Sequence, residues 1–231
     1  MNQRKGILEL QNNSEYTMLF CLSWPIVLSL FVQGMYSLVD SIFLSRLGEE
    51  TLSAISLSFV VQNFASAMYA GIATGINAVV SRALGAKEFH KAKNFVISGA
   101  YVQLGLVVIL IGIGIWGVPF YFAKSTANAA VSAIGLSYLT PCLIFSIFSG
   151  AQITSERLLQ STGQSRYMLF SQITGTAVNS VLDPILIFGL FGLPSLGARG
   201  AAYATIIGQS CAALIALFLT SNAMVFYLKT S

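Results

Sequence analysis

The sequence predicts an all-α protein, a polytopic transmembrane bundle of six helices. Three observations carry this. Of 231 residues, 55% are hydrophobic and only 9% are charged, against about 25% charged in an ordinary soluble domain. Apolar runs recur along the whole chain, each longer than the ~20 residues a helix needs to cross the hydrocarbon core. The runs are also near-continuous, whereas a membrane barrel would show segments of about ten residues with alternating polarity.

Polar breaks place the spans at about 17–45, 52–81, 94–121, 129–154, 167–190 and 201–228, together forming a single lobe over residues 1–231. The first run is not expected to be a cleaved signal peptide. Glu9 and Glu15 interrupt its start, it is too long, and no small-residue cleavage site follows it. It carries Gln33, Ser37 and Asp40 on one helical face. The second stacks Gln62, Ser66 and Tyr69, and its Gly71-Ile-Ala-Thr-Gly75 has the spacing that lets helix backbones approach. The third and fourth are not among the spans with a polar face, and the fourth contains Pro141. Prolines inside spans (also Pro25 and Pro184) are tolerated where neighbouring helices satisfy the freed backbone groups. The fifth carries Gln172, Thr176, Asn179 and Asp183, spaced four, three and four, and the sixth carries Thr205 and Gln209 one turn apart.

The basic residues report orientation. Arg4, Lys5, Arg82, Lys87, Lys91, Lys93, Arg157, Arg166 and Lys229 fall on one set of faces, and Arg46, Lys124 and Arg199 on the other, nine against three. The positive-inside rule then makes both termini cytoplasmic, together with the 82–93 and 155–166 loops. A multi-pass protein of the plasma (inner) membrane is expected. The net charge of +4 is spread by loop and gives no nucleic-acid signal. Cys21, Cys142 and Cys211 all lie in apolar runs, without disulfide or metal spacing.

Asp40 and Asp183 are the residues that lipid should not tolerate. A charge at mid-membrane costs several kcal/mol. Both sit on odd-numbered spans that run from inside to outside, so both belong to the outer half of the bundle. Asp40 lies six residues before Arg46, ~9 Å below the helix end at 1.5 Å per residue. No Lys or Arg of the spans is placed to neutralise either one. Two neighbouring carboxylates without a basic partner disfavour their doubly charged state. Their options are to hold protons, to bind a metal cation, or to bind a cationic substrate. Asn179, Thr205 and backbone carbonyls offer the neutral oxygens that a hard cation takes. Pro184 has no N–H, so the carbonyl of Ser180 is expected to lose its helix partner. Interhelical hydrogen-bonding is the blander role for the glutamines and serines of these stripes.

These residues resemble a known family. Ser37-Leu-Val-Asp40-Ser-Ile-Phe-Leu-Ser-Arg-Leu-Gly48 with Leu52-Ser-Ala is similar to the first helix and loop of the MATE (multidrug and toxic compound extrusion) transporters. Ala70-Gly-Ile-Ala-Thr-Gly-Ile-Asn-Ala-Val-Val-Ser-Arg-Ala-Leu-Gly-Ala-Lys87 is similar to their second helix and the loop after it. Leu159-Gln-Ser-Thr-Gly163, Asn179-Ser-Val-Leu-Asp183-Pro and Gly197-Ala-Arg-Gly-Ala-Ala-Tyr-Ala-Thr205 resemble the region of the fifth and sixth helices. The branch most resembled is the DNA-damage-inducible F-like one.

The resemblance implies a cation-coupled antiporter, not an enzyme, that exports lipophilic or cationic organic compounds, with H+ or Na+ as coupling ion and no other cofactor. It implies a coupling-cation site at Asp40, Asn179, Asp183 and Thr205, which would ligate metal only under Na+ coupling. Gln33, Ser37, Gln62, Ser66, Tyr69, Gln172, Thr176 and Gln209 then become candidates for lining a cavity. The family fold has twelve helices in two lobes, so this chain is expected to be an amino-terminal lobe. Rocking against a partner requires a second six-helix lobe or a second copy.

Two rivals belong to other functions: a lipid or polysaccharide flippase of the same superfamily, and a non-transporting assembly subunit or fragment. The first is expected to carry more basic residues in its cavity than this sequence buries. An intramembrane aspartyl protease would need a Gly-x-Gly-Asp run, and neither aspartate has one.

Overall fold

The computed structural model describes residues 15–229, and side chains over most of residues 23–222. The helices are α1 (Glu15–Ser45), α2 (Glu49–Gly85), α3 (Phe89–Gly112), α4 (Val118–Ser125), α5 (Ala129–Ile144), α6 (Ser146–Ser161), α7 (Ser165–Phe188) and α8 (Ala198–Lys229). No strand occurs among the described residues. A π-turn, Ile113–Gly117, joins α3 to α4. Its Gly114 lies so close to α5 that a Cβ there would stand 2.9 Å from Cβ of Leu143.

The helices extend past the expected spans, so residues 82–93 and 155–166 are mostly helical and the turns between helices shrink to a few residues. Gly48, at φ +108°, turns the chain from α1 into α2. That conformation costs a residue with a Cβ far more. Asn128 caps α5 by accepting from the N–H of Ala130 at 2.8 Å, and its amide donates to Glu50 at 3.1 Å, tying two turns together at one end of the bundle. The segment expected to cross as 129–154 is broken instead. α5 and α6 meet at Phe145 with a bend of 51°, one turn after Pro141, and α6 runs on to Ser161.

Among the described residues, four helical stretches are long and apolar enough to cross a membrane, or five with the bent α5–α6 pair taken as one. α7 is long enough but less apolar, because Gln172, Thr176, Asn179 and Asp183 all lie on it. The outer surface is apolar, with Phe31, Val60, Phe64, Val108, Trp116, Phe120, Leu214 and Phe218 all exposed. An apolar exterior of this extent marks contact with lipid or with another protein surface. The core holds Leu44, Ile55, Tyr69, Leu110, Phe122, Tyr138, Leu139 and Ile187.

Close helix approach does not occur where the glycine spacing predicts it. Gly71 and Gly75 have nothing within 4 Å of an added Cβ, because that face of α2 points out of the bundle. The contact lies between α7 and α8 instead. A Cβ on Gly208 would stand 2.7 Å from the carbonyl oxygen of Gly175, and one on Gly175 would stand 2.9 Å from that of Gly208. At the end of α7, Gly189 adopts φ +74° and the chain folds back. The N–H groups of Leu196 and Gly197 donate to the carbonyls of Leu186 and Ile187, and Ser195 Oγ also donates to Ile187. This return satisfies carbonyls that a helix end leaves open.

Candidate functional site

The four residues expected to form a cation site come together. Asp40 near the end of α1 and Asp183 on α7 are close enough to interact electrostatically. Asn179 lies one turn before Asp183, and its Nδ2 donates to Thr205 Oγ1 of α8 at 3.2 Å. The Gly175–Gly208 contact explains this last bond. It brings the two helix backbones together one turn from Asn179, so a short amide reaches a short hydroxyl.

All three acidic or amide side chains are buried: Asp40 is 2% exposed, Asp183 0% and Asn179 3%. Their oxygens lack donors. Asp40 Oδ1, both carboxylate oxygens of Asp183 and Oδ1 of Asn179 are buried with no hydrogen-bond partner. Buried polar atoms are normally satisfied, and an orphaned one costs about 1–3 kcal/mol. Four orphans in one cluster, all of them acceptors, call for a proton or a cation. The only ion pair among the described residues is the exposed Lys91–Glu88 contact, so no basic side chain supplies the charge. No group of three or more His, Cys, Asp and Glu exists among the described residues. Two carboxylates with an amide and a hydroxyl oxygen instead fit a hard monovalent ion such as Na+. Pro184 lies within α7, which continues unbroken to Phe188.

Beside this cluster opens a cavity of about 280 Å³. Gln33, Ser66, Gln172, Thr176 and Gln209 line it, with Asn179 and Thr205 in its wall. Gln62 and Tyr69 do not. Tyr69 is 1% exposed in the apolar core, and Gln62 buries its Nε2 without a partner elsewhere. The side chain of Ser37 lies outside the described residues. Asp40 and Asp183 are not part of the lining, whereas Asn179, one turn before Asp183, and its partner Thr205 are.

The rest of the lining was not expected. Ser149, Gln152, Glu156 and Gln160 of α6 and the neighbouring Arg157 border the cavity. The sequence placed Glu156 and Arg157 in a loop, but α6 carries both, half-buried, along the cavity. The signal was present as a polar stripe spaced three, four and four. Ser149 Oγ donates to Gln209 Oε1 at 2.5 Å, linking α6 to α8. Arg157 corrects the expectation of a cavity free of basic residues, and its guanidinium donates to Gln160 Oε1 at 2.9 Å.

Fold and site together define a multi-pass membrane protein with a buried acidic pair beside a polar cavity, the architecture of a transporter lobe. The MatE family profile matches residues 25–185, and the chain belongs to that family of MATE transporters. It is 27% identical over 225 residues to a protein of Shewanella oneidensis named "FAD transporter", covering 97% of this chain and 48% of that one. It is 25% identical to the "Probable multidrug resistance protein NorM" of Streptococcus pneumoniae, over 79% of this chain and 40% of that one. Among solved structures, a MOP superfamily transporter from Pyrococcus furiosus superposes with a TM-score of 0.83 at 27% identity. A MATE structure in the straight conformation superposes at 0.82, also at 27% identity. Each match covers 91% of this chain and 46% of the other. The chain spans about half the length of the relatives it matches.

Proposed function

We propose that this chain is one lobe of a cation-coupled antiporter that exports lipophilic and cationic organic compounds, with H+ or Na+ as the coupling ion. The observation that carries the reading is the cluster of unsatisfied acceptor oxygens on Asp40, Asn179 and Asp183, buried without a basic partner. A cation or proton there satisfies those oxygens and neutralises the pair.

Asn179 and Thr205 belong both to this cluster and to the cavity wall. Filling the site draws Asn179 Oδ1 toward the ion and so reshapes the wall that the substrate meets. Binding at the two places is thereby linked, which exchange of one against the other requires. Alternating access needs a second bundle to rock against, supplied by a second lobe or a second copy. The nine-to-three distribution of Lys and Arg supports cytoplasmic termini in an inner membrane.

A second reading is that the cargo is anionic. Arg157 in the cavity favours it, as does similarity to a protein named for FAD transport. Proteoliposomes carrying the chain, alone and with a second lobe, separate the two. Under an imposed H+ or Na+ gradient, the first reading expects uptake of a lipophilic cation that is lost with Asp183→Asn. Gradient-driven movement of a flavin nucleotide with no cation transport would favour the second.

A further inference from the structure

Among the acidic residues whose side chains are described, three are not exposed: Asp40, Asp183 and Glu156. The first two lie outside the cavity lining, and Glu156 is the one carboxylate among the described residues that borders the cavity. We propose that Glu156 is the anionic anchor for the positive group of a cationic substrate, a cation station separate from the Asp40–Asp183 pair. This rests on the antiporter reading above and divides its two cations between two places.

Glu156 has a hydrogen bond and the Arg157 charge nearby, but no ion pair. Its Oε1 accepts from Gln152 Nε2 at 3.0 Å, and no ion pair to it occurs within 4.0 Å among the described residues. Its sequence neighbour Arg157 donates to Gln160 instead. A carboxylate drawn inside a membrane bundle is costly unless a positive group meets it. Ile26, Leu30, Ile153 and Met168 add apolar wall to the same cavity. Apolar wall with a single acidic group fits a hydrophobic body bearing one cationic centre. Arg157, on the same rim, opposes this charge and sets the affinity below what Glu156 alone would give.

The position separates the two stations. Glu156 lies in the last turns of α6, close to the turn at 162–164. Asp40 and Asp183 lie near the far ends of α1 and α7. A substrate entering from the end of the bundle that carries the 162–164 turn meets Glu156 first.

The test uses the purified full chain in detergent, with tetraphenylphosphonium as the cationic probe and tetraphenylborate as its anionic counterpart of equal shape. Wild type should bind the cation in preference to the anion. Glu156→Gln should weaken cation binding at least tenfold and abolish the preference, while Na+ and proton binding at the aspartates stays unchanged. Arg157→Gln should tighten cation binding several-fold, and this arm holds if the Glu156 variant fails to fold. Wild-type affinity in Glu156→Gln, or no cation preference in wild type, overturns the proposal. Loss of Na+ and proton binding in Asp183→Asn would leave the antiporter reading standing in either case. Unchanged Na+ and proton binding in Asp183→Asn would instead sink that reading, whatever Glu156 does.

Discussion

Asp183 sets the tightest constraint on function. Fully buried, with both oxygens unpartnered, it is a poor choice for structural glue, since an amide would hydrogen-bond at lower desolvation cost. Asp183→Asn keeps the shape and removes the charge. It should leave folding intact, or raise the melting temperature by a few degrees, while cutting cation binding at least tenfold. A fall in melting temperature with binding retained would mark the residue as structural. Thr205→Val should act more mildly. It removes the acceptor for Asn179 Nδ2, at about 1 kcal/mol for a neutral hydrogen bond, and frees the amide to turn. Cation affinity measured by titration should fall several-fold without being abolished. Asp40, Asn179, Asp183 and Thr205 could be read from the sequence because helical periodicity puts costly polar atoms on shared faces. Glu156 was missed although its stripe was there, since the polar run Ser155-Glu156-Arg157 reads as the end of a span, whereas α6 runs on to Ser161.

Among the helices, the α7–α8 contact positions the site. Gly208→Ala would push a methyl to 2.7 Å from a carbonyl oxygen of Gly175 and 2.9 Å from Cβ of Asn179. Backbone cannot yield as a side-chain tip does, so the overpacking should cost about 1–3 kcal/mol. Thermal denaturation should show this together with weakened cation binding. Gly71→Ala meets nothing within 4 Å and should be neutral, or stabilising by up to about 1 kcal/mol through helix propensity. The contrast shows what the sequence withheld. A Gly-xxx-Gly pair reports that two backbones could approach, but which face turns inward is decided by tertiary packing. Gly175 and Gly208 stand in no Gly-xxx-Gly pair, only in the looser small-residue spacings Ser171–Gly175 and Gly208–Ala212. The existence of the helices was legible from apolar run length alone. Their ends and the α5–α6 break were not, because helices extend past the membrane core and a proline does not announce how far it bends them.

For the whole molecule, the charge distribution predicts sidedness. The turns at 86–88 and 162–164 close one end of the bundle, and those at 46–48, 126–128 and 189–197 close the other. With the three native cysteines replaced by serine, Thr126→Cys should react with a membrane-impermeant maleimide in intact cells, and Lys87→Cys only in everted vesicles. The reverse pattern would invert the topology.

The central claim is that Asp40 and Asp183 hold one ion between them, and a double-mutant cycle tests it most directly. Sodium binding and proton uptake would be measured on the purified chain for wild type, Asp40→Asn, Asp183→Asn and the pair. A shared site predicts that each single change removes the binding and that the double variant loses nothing more. Effects that simply add, or binding that survives in both single variants, would contradict it.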